Sequence, residues 1–158
     1  MPPATQPVPV RILDNLEAAL ALPDGGTDYF FDVNVVKIGA NPLDSPQFPV
    51  LTIGDVGQMG RYAEVKAGSV LWHSNLHWSI TVLGAVADQT DVPRQLLRLA
   101  ADVYRAVNVD PQRGGLAANT VFEGCEIMPP TSEDDALSWI ACFLDVHFRT
   151  RDKDMVNQ

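Results

Sequence analysis

Two histidines separated by three residues, His73 and His77, lie between two tryptophans in the stretch WHSNLHW. On a helix this spacing would put both imidazoles on one face, as in the HExxH zinc motif. The glutamate of that motif is missing here, because Ser74 follows His73. Apolar and polar residues alternate on either side, which is typical of a strand, and four residues of strand span about 13 Å. Two ligands that far apart cannot share one zinc ion, so we interpret both histidines as part of a polar strand face.

The third histidine, His147, follows Asp145 by two residues in a second strand-like segment, so both side chains share one face. A histidine beside a carboxylate is a candidate general base, but no GxSxG motif or cysteine-protease context supplies a nucleophile. The glycines of GDVGQMG match neither GxGxxG nor the phosphate-binding GxxxxGK[ST] pattern. We therefore expect no catalytic residue, no metal ligand and no cofactor.

The two cysteines, Cys125 and Cys142, are too few for a disulfide framework and are not spaced as a CxxC pair. In a reducing cytosol the ordinary expectation is two buried thiols. No apolar run is long enough to cross a bilayer, and the N-terminus MPPATQPVPV lacks the features of a signal peptide. These observations predict a protein that stays in the cytosol where it is made.

The 158 residues carry a net charge of −9 and predict a single domain spanning residues 1–158. A surface with this balance repels phosphate rather than gathering it, which argues against sequence-specific nucleic-acid binding. The same surface would suit a conduit along which DNA slides without sticking.

Two segments have the periodicity of amphipathic helices. Residues 1–8 are proline-rich and predict an extended arm, and a first amphipathic helix follows from Pro9 and stops near Pro23. A second helix is predicted over residues 92–108, after an N-cap at Thr90-Asp91. The predicted core faces comprise Ile12, Leu13, Leu16, Ala19 and Leu20 in the first helix and Leu96, Leu97, Ala100, Val103, Tyr104 and Val107 in the second.

Alternating or continuous apolar runs predict five strands, at residues 29–39, 48–54, 71–87, 117–128 and 136–149. The glycine-rich residues 54–68 predict a long hairpin loop, with short strand arms as an alternative, and residues 150–158 predict a charged tail. The element order α-β-β-β-α-β-β predicts an α+β fold, a mostly antiparallel sheet with two amphipathic helices packed on it. Antiparallel pairing of the last two strands would place Cys125 near Cys142. The apolar run in the last strand predicts a mid-sheet position with both faces covered.

Eight residues are candidates for contacts with another subunit or a partner. They share a polar or aromatic character and a predicted position on a loop, on the polar face of the third strand or just past the last strand. They are Arg61, Tyr62, Lys66, His73, Asn75, His77, Arg149 and Arg151.

With its elements in order, the chain resembles the tail terminator, or tail completion, proteins of long-tailed bacteriophages, also known as minor tail protein U. The resemblance covers nearly the full length and depends on the order of its segments. These segments are VRILDNLEAALALP…YFFDVNVVKIG, FPVLTIG, WSITVLGAV leading into LLRLAADVYRAV, and GLAANTVFEGCEI followed by WIACFLDVHFRTRDKD. The aromatic-Arg-Thr ending of the last strand, here Phe148-Arg149-Thr150, is its most characteristic feature.

This resemblance implies a non-enzymatic structural protein that forms a ring, usually a hexamer, at the head-proximal end of the tail tube. The ring stops tube polymerisation and docks to the head connector, while DNA passes through its lumen without specific binding. Its partners would be further copies of itself, the major tail tube protein and the connector or neck protein. It would act in the virion after assembly in the host cytoplasm. The alternatives are another neck or head–tail joining protein and, in a different class, a small monomeric enzyme or ligand-binding domain.

Overall fold

The computed structural model describes residues 6–21, 29, 35–38, 50–54, 59–66, 69–85, 91–128 and 137–151. The elements, in chain order, are α1 (Val8–Leu20), β1 (Val35–Ile38), β2 (Val50–Ile53), β3 (Met59–Lys66), β4 (Ser69–Ala85), α2 (Val92–Asn108), β5 (Asn119–Met128) and β6 (Leu137–Thr150). The predicted α+β class, with two helices on a mostly antiparallel sheet, is confirmed. Within the described residues the order contains one strand more than predicted, namely β3.

The sheet is organised around its longest strand, β4, in the order β1-β2-β4-β6-β5 with β3 attached to β4. One edge of β4 pairs antiparallel with β6 over almost its whole length. The other edge is shared, because β3 pairs with the beginning of β4 and β2 pairs with residues 80–83. The β1–β2 pair is parallel. The predicted mid-sheet position of the last strand is confirmed, since β6 lies between β4 and β5.

The prediction of a long loop over residues 54–68 is wrong for residues 59–66, which form β3. Met59 pairs with Leu76 and Lys66 with Ser69, so the strand lies antiparallel along the start of β4. The sequence does not predict this strand, because apolar and polar residues alternate along a strand only when one of its faces is buried. Residues on both of its faces, including Tyr62 and Val65, are exposed.

The hydrophobic core lies between the two helices and one face of the sheet, which we call the inner face. Helix α1 contributes residues four apart, and alternate residues of β4 and β6 meet them from the sheet. The buried set includes Val8, Ile12, Leu16 and Leu20 of α1, Leu96, Leu99, Ala100, Val103, Ala106 and Val107 of α2, Leu76, Trp78 and Ile80 of β4, and Ile140, Cys142, Leu144, Val146 and Phe148 of β6. The predicted inward positions of Leu76 and Trp78 are thus confirmed.

Helix α1 begins one residue earlier than predicted, so the proposed extended arm ends before Val8. Pro7 takes the N-cap position and Pro9 lies in the first turn, where the missing amide hydrogen of proline costs no helical hydrogen bond. Val8 is completely buried, and its contribution to the core explains the earlier start. Residues 1–5 lie outside the described part of the chain.

Helix α2 has the predicted bounds, but its buried face is rotated from the predicted one. Leu97 is 55% exposed and Tyr104 is 52% exposed, whereas Leu99 and Ala106 are buried. The spacing of apolar residues fits both faces, and packing against the sheet decides between them. Tyr104 instead makes an edge-to-face contact with Phe122 of β5, with ring centroids 5.3 Å apart.

The turn after α2 closes the C-terminal end of the helix with a buried arginine. Arg113 has a positive φ of 52°, and its Nη2 donates a hydrogen bond to the carbonyl of Val107 in the last turn of α2. This contact satisfies one of the carbonyls that a helix end leaves free. Burial lowers the pKa of Arg113, and the carboxylate of Asp110 opposes that change.

Three features of the last two strands differ from prediction and one is confirmed. Cys125 pairs directly with Cys142 across β5 and β6, as expected. Cys125 is exposed, however, so only one of the two expected buried thiols is buried. Phe143 is 37% exposed, so the outward side of β6 is only partly covered. Thr150, the predicted first residue of the charged tail, is the buried last residue of β6.

Candidate functional site

The face of the sheet opposite the helices, which we call the outer face, carries most of the candidate residues. It is formed by alternate residues of three strands: Tyr62 and Glu64 of β3, His73, Asn75 and His77 of β4, and Asp145, His147 and Arg149 of β6. An antiparallel sheet that packs helices on one side leaves polar residues on the other. The inward neighbours of His73 and His77 along β4, namely Ser74, Leu76 and Trp78, are buried.

His73 is held by two residues of β3. Its ring stacks on Tyr62, which is its direct cross-strand partner, with centroids 4.7 Å apart and planes 2° from parallel. Its Nε2 lies 2.8 Å from Oε2 of Glu64. The His73 side chain is only 15% exposed, whereas Tyr62 is 62% exposed. Tyr62 therefore presents the accessible surface of this group, and His73 fixes the orientation of its ring.

Asp145 lies between two histidines on neighbouring positions of the outer face. Its Oδ1 is 3.5 Å from Nδ1 of His77, its direct partner across β4 and β6. Its Oδ2 is 2.8 Å from Nε2 of His147, two residues along the same strand. Asp145 is only 9% exposed, while both histidines are accessible to solvent. The predicted pairing of Asp145 with His147 on one strand face is therefore present.

Glu123 joins this group from β5, at a point where the strand is irregular. The β5–β6 register shifts between Phe122 and Gly124, so Glu123 is an extra residue in the ladder. Gly124 has a φ of +146°, a conformation that residues with a side chain rarely adopt. A bulge commonly redirects a side chain. Here a carboxylate oxygen of Glu123, Nδ1 or Nε2 of His77 and a carboxylate oxygen of Asp145 all lie within 4.8 Å of one another.

A cleft of about 330 Å³ on the outer face is lined by Tyr62 and His73 and, from β6, by His147. Strands β3, β4 and β6 and the beginning of β5 contribute its lining. Tyr62, His73, Asn75 and Arg149, four of the eight candidate contact residues, line it together with Asn119 and His147. Residues distant in sequence thus form one polar concave surface.

The other four candidate contact residues have different positions. His77 belongs to the Asp145 group, and Arg151 is exposed just after β6. Arg61 pairs with Ser74 and Lys66 with Ser69 in the β3–β4 ladder, and their side chains lie outside the described part of the structure.

Sequence reasoning missed how Glu64, Asn119 and Glu123 contribute to the outer face. Glu64 was hidden inside the predicted loop, and Asn119 joins the cleft through pairing with His147. The one local sign of the Glu123 position is Gly124, since an isolated glycine within a strand pattern indicates a bulge. The rejection of a shared His73–His77 metal ion remains consistent with the strand observed over both residues.

The β3–β4 hairpin also exposes apolar residues that continue the inner face beyond the core. Val65 and Val70 are direct cross-strand partners, and they are 69% and 40% exposed. Along β4 the burial increases from Val70 through Trp72 to Leu76, which is 3% exposed. We call Val65 and Val70 with the neighbouring Ala63 the hairpin patch.

Comparison with known proteins gives similarities among solved structures. No family model matches the chain, and no curated protein matches it. Among solved structures, one chain of the "Virion of native gene transfer agent (GTA) particle" aligns over 92% of this chain and 94% of its own, with 11% identity and a TM-score of 0.39. Neither helix in the described part of the chain is long and apolar enough to cross a membrane.

Proposed function

We propose that this chain is a structural protein of a phage particle and, more specifically, a tail terminator that assembles into a ring at the head-proximal end of the tail tube. The order of segments that resembles the tail terminator proteins is the starting point. The observed α+β fold, with its helices on one face of the sheet, is consistent with that starting point. The proposed role is to stop tube polymerisation and to present a docking surface to the head connector.

The observation that carries the proposal is the exposed edge at the β3–β4 hairpin. Strand β3 pairs with β4 on one side and with no other described strand, and the hairpin patch is exposed beside it. Soluble monomers usually protect strand edges and apolar patches. An accessible strand edge next to an exposed apolar patch therefore indicates an interaction surface. This surface fits a contact with a further protein subunit.

The sheet also offers two different edges, which a closed ring requires. Rotationally related subunits contact each other through unlike surfaces, so each subunit needs one surface at each side. Strand β3 lies on one side of β4, whereas β5 lies at the far end of the β4-β6-β5 order. We propose that the β3 side of one subunit contacts the β5 side of the next.

The assembly state tests this function directly. We expect native mass spectrometry and negative-stain microscopy to show closed rings, either for the purified chain or after tail tube protein is added. Val65→Asp or Val70→Asp should weaken assembly at least tenfold, because each places a charge within the apolar hairpin patch. Val10→Asp is the matched control, since Val10 is 38% exposed and belongs to the first turn of α1, not to the hairpin.

Three results would contradict the proposal. A chain that stays monomeric at all concentrations, even after tail tube protein is added, would rule out the ring and favour a small ligand-binding domain or enzyme. Assembly of both hairpin variants at the affinity of the wild type would move the interface elsewhere. Rings that bind the head connector but not the tube would identify another neck protein instead.

A further inference from the structure

Three side chains with metal-binding groups meet on the outer face from three neighbouring strands. His77 comes from β4, Glu123 from the bulge of β5 and Asp145 from β6. Their potential ligand atoms all lie within 4.8 Å of one another. The group is separate from His73, which is engaged with Tyr62 and Glu64.

The buried carboxylate at the centre of this group lacks a full set of partners. Asp145 is 9% exposed, and its Oδ1 accepts no hydrogen bond within the described part of the chain. A buried carboxylate oxygen without a partner is costly, and a cation is one of the few species that compensates it. Its neighbour His77 Nδ1 is at 3.5 Å, beyond hydrogen-bond length but close enough to share an ion.

We propose that His77, Glu123 and Asp145 bind a divalent first-row transition metal ion such as Zn²⁺. Tetrahedral coordination with bonds of about 2.0–2.1 Å places ligand atoms about 3.3–3.4 Å apart. The 3.5 Å between His77 Nδ1 and Asp145 Oδ1 matches that separation. Glu123 is exposed, and its carboxylate oxygen lies within 4.8 Å of the other two ligand atoms, so a change of its side-chain rotamer brings all three ligands to one ion.

The donor set defines which ions fit. One imidazole nitrogen and two carboxylate oxygens suit Zn²⁺, Co²⁺ or Ni²⁺, whereas Mg²⁺ and Ca²⁺ prefer oxygen ligands alone. With three protein ligands, a water molecule takes the fourth position. His77 and Glu123 are exposed, which leaves that position open to solvent.

His147 is a positioning residue in this arrangement. Its Nε2 lies 2.8 Å from Asp145 Oδ2, so it holds the carboxylate through the oxygen that faces away from His77. Ligating carboxylates are commonly held by such outer hydrogen bonds, and their loss typically lowers metal affinity by about 10–100-fold. The site would thus connect β4, β5 and β6 and stabilise the folded state.

Zinc binding by the purified full-length chain tests the proposal without any assembly partner. After treatment with EDTA and its removal, titration with ZnCl₂ should show one ion per chain with micromolar affinity by calorimetry. Millimolar MgCl₂ should leave this affinity unchanged. Zinc at about a hundredfold excess over Kd should raise Tm by about 5–10 °C, because the ion binds only the folded chain. Co²⁺ should give the visible absorption of a tetrahedral nitrogen–oxygen site.

Substitutions of the proposed ligands test where the ion binds. His77→Ala and Glu123→Gln should each weaken zinc binding at least tenfold, and His147→Ala should weaken it to a similar extent. His73→Ala is the matched control on the same strand and should bind as the wild type does. Circular dichroism establishes that each variant is folded, and both His77 and Glu123 are exposed enough to be replaced.

Two outcomes would overturn the assignment. One is the absence of stoichiometric zinc binding by the folded wild-type chain. The other is an unchanged affinity in folded His77→Ala and Glu123→Gln, which would assign the ion to other surface carboxylates. Neither depends on whether the chain forms a ring.

Discussion

At the scale of single residues, the environment of a side chain in this protein depends on which strands lie beside it. His73 and His77 are four residues apart on one face of β4, yet they have different partners. His73 stacks on Tyr62 of β3, and His77 faces Asp145 of β6. The sequence allowed the common face to be predicted, because alternation within a strand is a local property. The partners depend on register, which a single strand does not encode.

The two cysteines give a residue-scale prediction about reactivity. Cys125 is exposed and Cys142 is buried, although they are direct cross-strand partners. We expect iodoacetamide at pH 8 to modify Cys125 alone in the folded protein and both residues in urea. Mass spectrometry of the labelled chain measures this, and Cys125→Ser should incorporate no label until it unfolds. Rapid labelling of Cys142 in the folded chain would contradict the observed core.

The Cys142 thiol also predicts how stability changes at alkaline pH. Burial, with a smaller contribution from Cys125, raises the pKa of Cys142 from 9.0 to about 12. Above pH 9 the unfolded chain loses this proton while the folded chain keeps it, so stability that is fully present below pH 9 is lost up to about pH 12. The slope from this group approaches about 1.4 kcal/mol per pH unit. Urea unfolding between these pH values should show a shallower decline for Cys142→Ala, and equal slopes would contradict the assignment.

At the scale of elements, strong periodicity predicted the helices and strands that border the core. Helix α2 has its predicted bounds because an apolar stripe and a proline in its first turn define it locally. Strand β3 was missed because Tyr62 and Val65, which lie on opposite faces of the strand, are both exposed. The bulge at Glu123 was also missed, since it follows from the pairing of β5 with β6. The element order was therefore largely predictable, and the arrangement of the outer face was not.

The bulge gives an element-scale prediction. Gly124 has a φ of +146°, so Gly124→Ala should cost about 1–3 kcal/mol of unfolding free energy, because an alanine is strained in that conformation. Chemical denaturation with urea measures the loss. In metal-free protein Glu123→Ala is the control, because it removes the adjacent exposed side chain and keeps the glycine. If Gly124→Ala matched the wild type in stability, the bulge would not require a glycine.

At the scale of the whole molecule, the net charge distinguishes a protein through which DNA would pass from a protein that binds DNA. The chain carries 20 acidic and 11 basic residues, and its net charge of −9 accumulates with each subunit of the proposed ring. Affinity for duplex DNA comes largely from Lys and Arg side chains that neutralise phosphates and release counterions. A surface with an excess of acidic residues therefore has little affinity for DNA. On the outer face, His73 is already engaged with Glu64, and His77 and His147 with Asp145.

We therefore expect the assembled protein to leave the mobility of duplex DNA unchanged at physiological salt. A gel-shift titration at micromolar protein concentration measures this, with a basic DNA-binding protein as the positive control. Lowering the salt concentration should produce no shift either, because repulsion between protein and phosphate grows as screening weakens. A shift that strengthens at low salt would instead indicate a cluster of basic residues on one surface of the ring. That result would contradict the expectation that DNA passes the protein without binding to it.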